Sequence, residues 1–96
     1  MARYYLLMNW TDQGVRAAKE TMNRAAKARQ MFEKHGARMI DCTWTLGPYD
    51  AVVAAEAPDD ETMTSVCLAL ASQGNVKTTT LRAFGEEEMK RILAKV

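Results

Sequence analysis

The sequence predicts an α+β domain in which two long helices cover one face of a four-stranded antiparallel sheet. Two strand-like stretches, 37–46 and 49–57, meet at the turn signal Gly47-Pro48. Apolar residues recur at helical spacing over 12–34 and again after Pro58. Strand-like alternation opens the chain at 3–9 and returns at 75–84, so a strand–helix–strand plan occurs twice.

The first strand is Arg3 to Asn9. Tyr4, Leu6, Met8 and Trp10 alternate with Arg3, Tyr5, Leu7 and Asn9, and both sets are largely apolar, which places the strand centrally. Thr11 stands as an N-cap, with Asp12 in a first turn that the helix dipole favours. The spacing predicts one helix from Asp12 to Lys34, with Val15, Ala18, Met22, Ala25 and Phe32 on its apolar stripe and Gly36 as the left-handed C-cap residue. His35 is expected to interact with the last helix carbonyls.

Ala37 to Leu46 is the second strand, and Tyr49 to Ala57 returns as the third, a short run of Ala and Val too tightly bounded for a helix. A two-residue loop pairs Leu46 with Tyr49, Trp44 with Ala51 and Cys42 with Val53. Ile40, Cys42, Trp44 and Leu46 then share the core face with Ala51, Val53 and Ala55. Met39, Asp41, Thr43, Thr45, Asp50, Val52, Ala54 and Glu56 take the other, and a bulge would shift this register by one. Pro58-Asp59-Asp60-Glu61 opens the second helix, whose buried stripe is Met63, Val66, Cys67 and Leu70 and whose end is Gly74. Asn75 to Phe84 is the fourth strand. After Gly85 comes a short helix with three glutamates at its start, lysine and arginine later, and Met89, Ile92, Leu93 and Val96 as its apolar edge.

The order β-α-β-β-α-β plus a terminal helix is the ferredoxin-like arrangement. Right-handed crossovers put both long helices on one face of the sheet. The bare face on this register holds Tyr5, Leu7, Met39, Val52 and Ala54 among Asn9, Thr43, Thr45, Asp50, Glu56, Thr78, Thr80 and Arg82. Covering roughly 400 Å² of apolar area there gains on the order of 10 kcal/mol gross, against several for association. The expectation is a dimer of facing sheets with a cavity between them.

Composition bounds the rest. A chain of 96 residues, 48% hydrophobic with net charge +1, is one globular domain. No apolar run spans a bilayer and no signal peptide is evident, so a cytoplasmic, non-membrane protein is expected. Cys42 and Cys67 lack metal or redox spacing and read as reduced, buried thiols. Residues 12–38 carry seven basic and three acidic side chains, while residues 50–61 carry five acids and no base. That asymmetry fits a basic helix and an acidic helix start, or steering of self-association or of a charged ligand. No basic–aromatic interleaving argues for nucleic acid. No P-loop, dinucleotide fingerprint or zinc motif is present, so no cofactor and no metal are expected.

One set of residues points further: Asn9-Trp10-Thr11-Asp12-Gln13-Gly14, Thr45-Leu46-Gly47, Tyr49-Asp50, Glu56-Ala57-Pro58-Asp59-Asp60, Gly74-Asn75-Val76 and Thr80-Leu81-Arg82-Ala83-Phe84. Spanning nearly the whole chain, they resemble the GYD domain family, with Gly47, Tyr49 and Asp50 as its signature. The resemblance implies a dimeric α/β barrel and self-association as a homodimer or higher homo-oligomer, and no activity. Gly85 departs from the family's expected threonine, so fraying of the last helix is expected.

The candidate ligand-binding residues are Tyr5, Asn9, Thr45, Tyr49, Asp50, Glu56 and Arg82. A carboxylate in a covered cavity is a candidate general base, and Arg82 a candidate anion holder. Their structural alternatives are an interfacial Arg–carboxylate pair and a turn-capping Asp50. Three functions follow: a homo-oligomeric small-molecule-binding module, which the face favours; a cofactor-free enzyme like the monooxygenases or isomerases of this fold; or a purely structural assembly module.

Overall fold

The alternation in the first strand and the capped helices set the frame of the structure, a computed structural model describing residues 1–96. In chain order the elements are β1 (Ala2–Trp10), α1 (Asp12–Arg16), a 3-10 turn (Ala18–Glu20), α2 (Thr21–Lys34), β2 (Arg38–Trp44), β3 (Ala51–Ala57), α3 (Asp60–Ser72), β4 (Val76–Ala83) and α4 (Glu86–Leu93). The sheet order is β2-β3-β1-β4, antiparallel throughout. This is the predicted ferredoxin-like α+β arrangement.

The core lies on the helix side. Tyr4, Leu6 and Met8 of β1 and Ala51, Val53, Ala55 and Ala57 of β3 are buried there against Phe32 of α2 and Met63, Val66 and Leu70 of α3. The α3 stripe is the predicted one, with Cys67 half-buried at its edge. Asp59 caps α3 by accepting from the Thr62 amide at 2.8 Å, and Thr62, through its side chain first and this amide second, holds the Asp59 carboxyl below the usual carboxylate range. Both cysteines are free, and burial pushes the Cys42 thiol up, away from the reactive thiolate.

The first predicted helix is broken. Ala17, at φ −109° and ψ 37°, ends α1, and α2 starts afresh at Thr21. The cause is a clasp at the start of α1. The Thr11 hydroxyl donates to the Gly74 carbonyl and its amide to the Asn75 carbonyl at 3.1 Å, while Gln13 Nε2 reaches Gln73 O and Asn75 Oδ1. Gly14 lies so close to Asn75 that a Cβ would sit 2.0 Å from its carbonyl oxygen. With the first turn fixed there, the chain changes direction before lying along the sheet. Arg24 of α2 takes up the Gly14 carbonyl at 3.0 Å. The stripe changes in part as a result: Val15 and Met22, predicted inside, are 50% and 61% exposed, Ala25 and Phe32 pack inward as predicted, and Ala28 joins them.

The hairpin keeps its predicted pairs Trp44–Ala51 and Cys42–Val53, but two details differ. Thr45 N–H donates to Asp50 O at 3.0 Å, leaving Leu46 to Tyr49 as a four-residue loop, so Leu46 does not face Tyr49 and is fully exposed. The bulge lies at Ile40, not at the turn. It turns Met39 into the core at 3% exposure and Ile40 outward, the reverse of the predicted assignment.

The β4 register corrects a third expectation. Tyr4 pairs with Arg82, Leu6 with Thr80 and Met8 with Thr78, so these three β4 residues face the helix side and not the bare face. Cross-strand partners share a face, and Tyr5–Leu81 and Leu7–Thr79 define the bare one. His35 meets the last carbonyls of α2 through its amide, which donates to Met31 O and Phe32 O, while its ring Nδ1 lies 3.2 Å from Ser65 Oγ of α3.

Candidate interaction surface

The bare face is built from strand alternation. β1 contributes Arg3, Tyr5, Leu7 and Asn9, and its neighbours complete three rows across the sheet. Thr43, Val52, Leu7 and Thr79 form the first; Asp41, Ala54, Tyr5 and Leu81 the second; Arg38, Glu56, Arg3 and Ala83 the third. The centre is apolar, and Leu81 at the β4 edge is 47% exposed. Charges lie toward the β2 side, at Asp41 in the second row, and along the outer row, where Arg38 and Glu56 approach to 3.8 Å, an exposed pair that contributes little to stability. An apolar centre with a charged rim is the anatomy of a protein interface. Both long helices lie on the opposite face, and α4 buries none of its residues.

The seven candidate residues fall into three places. Tyr5 and Glu56 are on the bare face as expected. Asn9, Thr45, Tyr49 and Asp50 meet at the end of the sheet, around the hairpin loop. Asn9 Nδ2 donates to Pro48 O at 2.8 Å, the Thr45 hydroxyl donates to Tyr49 O at 2.6 Å, and Asp50 Oδ2 accepts the Trp10 amide at 2.9 Å. The Asp50 amide also donates to Met8 O at 2.8 Å. Through these two bonds Asp50 joins the hairpin to the end of β1.

Arg82 is apart from the other six. Its guanidinium lies 4.6 Å from the Phe84 ring centroid and 5.7 Å from that of Tyr4, and it pairs with Glu88 at 3.1 Å. Glu88 is held below the usual carboxylate range by that bond. Arg82 therefore tethers α4 to the sheet. Arg82→Ala is expected to leave the melting temperature within a few degrees of wild type while accelerating amide exchange in the first turn of α4. Unchanged exchange there would deny the tether.

Beside Arg82, the Tyr4 hydroxyl donates to Asp60 Oδ1. Burial first, and that bond second, push the Tyr4 phenol up to about 12. A raised folded-state value favours the neutral form. Its stabilisation is complete below the unfolded value of 10.0 and is lost as pH rises through about 12. An alkaline titration of phenolate absorbance should show one late step that Tyr4→Phe removes; a late step surviving in Tyr4→Phe would assign it elsewhere.

Sequence reasoning missed the clasp of Thr11, Gln13, Gly14 and Asn75 as a structural unit. The readable signal is Gly14, a glycine inside a helix, which is costly unless another backbone must approach. A cavity of about 70 Å³ also lies where none was expected, on the helix side between α2 and the sheet.

A sequence model of the GYD domain family matches residues 4–93. A protein of Thermus thermophilus named glutamine synthetase and cystathionine beta-lyase binding protein is 37% identical over 85 residues, covering 88% of this chain and 90% of that protein. The crystal structure of TTHA0845, also from Thermus thermophilus, matches with a TM-score of 0.58 at 22% identity, covering 88% of this chain and 95% of that one, a likeness of fold.

Proposed function

This chain belongs to the GYD domain family, and we propose that it is a partner-binding protein that works as a homodimer, two bare sheet faces pressed together. The observation that carries the reading is the apolar centre of Tyr5, Leu7, Val52, Ala54 and Leu81, on the face opposite both long helices. The relative's name supports the partner role, and glutamine synthetase and cystathionine β-lyase are the first clients to test. Binding is preferred to turnover because the best candidate base, Asp50, has a carboxylate oxygen committed to the Trp10 amide.

The test uses the purified full-length chain, immobilised, against each purified enzyme from the same source organism. Saturable binding to at least one of them at micromolar concentration is expected. No binding to either would remove the enzyme clients; a monomeric wild-type chain would remove the paired architecture itself. In no helix of this protein is there a stretch long and apolar enough to cross a membrane.

A further inference from the structure

The cavity under α2 has a composition that selects its occupant. Its walls are the buried Met8, Met39, Val53 and Leu70, with Trp10 and Trp44 beside them. Arg24 is the one charged residue in the lining, and no acidic side chain is present there. Arg24 is half-buried and in no ion pair; its hydrogen bond is to the neutral Gly14 carbonyl. A partly desolvated guanidinium without a counter-ion is an attractor for an anion. Eleven of the fifteen lining residues are hydrophobic, with Thr21, Gln73 and Asn75 as the other polar members, so the space suits a small hydrocarbon group beside one charge.

The rim is also adjustable. Trp44 is 38% exposed and its indole Nε1 donates to Thr21 Oγ1 at 3.0 Å. Thr21 is the first residue of α2, next to the 3-10 turn that interrupts the helix. A short 3-10 segment inside a helix is a common place for a hinge. The Trp44–Thr21 bond thus links two lining residues at the point where the helix is interrupted.

We propose that this cavity is a binding site for a short-chain aliphatic carboxylate, its chain among Met8, Met39 and Val53 and its carboxylate on Arg24. A water needs about 10–15 Å³ by this measure, so a space of about 70 Å³ holds roughly five to seven heavy atoms, the size of butyrate or pentanoate with the carboxylate included. The site is on the opposite side of the sheet from the proposed pairing face, so its test is independent of the oligomeric state.

The chain's two tryptophans both line the cavity, so intrinsic fluorescence reports its occupancy directly. Butyrate and pentanoate should each give a saturable change in the wild-type chain. Butylamine, with the same chain and the opposite charge, should bind at least tenfold more weakly at matched ionic strength. Arg24→Gln should weaken the carboxylates tenfold or more, and Ala28→Leu, which fills the space, should abolish the response with the circular dichroism spectrum retained. A measurement without any variant backs these: carboxylate-induced amide shifts confined to residues around Trp10, Ala28, Cys42 and Val76. Any one of three results would overturn the proposal: no saturable response at tens of millimolar, equal binding of the amine, or shifts centred elsewhere.

Discussion

Leu7→Glu is expected to split the proposed homodimer while leaving each chain folded. Leu7 sits at the middle of the bare face, flanked by Val52 and Thr79. Burying a leucine side chain contributes about 1.5–3 kcal/mol, and a twofold interface contains two such positions. The substitution also leaves two carboxylates to be desolvated without partners. A loss of about 3 kcal/mol is the floor, which weakens the dimer by about two decades in Kd. Within one chain the cost is the two cross-strand contacts, about 1 kcal/mol. Met22→Glu is the control, because Met22 is an exposed apolar residue of α2 on the other side of the sheet. Equal weakening by both would show that general hydrophobicity, not this face, drives association. Sedimentation equilibrium of the two variants distinguishes these outcomes.

The second large effect is Gly14→Ala, which is expected to cost about 3 kcal/mol or more of folding stability, the upper end for an overpacked site. In an exposed helix this change is favourable by roughly 0.5–1 kcal/mol. Here the new Cβ meets Asn75 backbone atoms at 2.0 Å and 2.9 Å, and backbone cannot rotate away as a flexible side chain can. Opening the joint enough to admit it disturbs the Thr11–Asn75 bond and both Gln13 bonds. At about 4–8 °C per kcal/mol for a domain of this size, the melting temperature falls by roughly 15 °C. Gln13→Ala removes the two exposed side-chain bonds and no backbone space, so it should cost only about 1 kcal/mol. Similar melting temperatures for the two variants would mean that the close approach is not what holds the clasp.

The parts of the fold that can be read from the chain are those with a strong hydrophobic period. β1 alternates from Arg3 to Asn9, and Met63, Val66 and Leu70 of α3 are buried as their spacing requires. The hairpin pairs are legible because Gly47-Pro48 fixes the turn to within a residue or two. β4 is not legible in the same way. Lys77 to Arg82 contains three successive threonines, which tolerate either face, so only the pairing with β1 decides which way Leu81 points. As an edge strand, β4 turns Leu81 to the bare side and Arg82 to the helix side, and the anion role expected of Arg82 on the bare face loses its location with it.

The break at Ala17 has no local mark either, with neither glycine nor proline at the break itself. It arises from contacts with Gly74 and Asn75, some sixty residues away in sequence. The same holds for the bulge at Ile40, a site with ordinary strand residues on both sides. The bare face itself follows from topology alone, and its centre of Tyr5, Leu7, Val52 and Ala54 stands; Met39 leaves it and Leu81 joins.

Sedimentation velocity of the wild-type chain at micromolar concentration tests the paired-face reading most directly. The structure's uncovered centre predicts a species of twice the 10.7 kDa chain mass that Leu7→Glu reduces to a single chain. A wild-type species of single-chain mass across that range would contradict it.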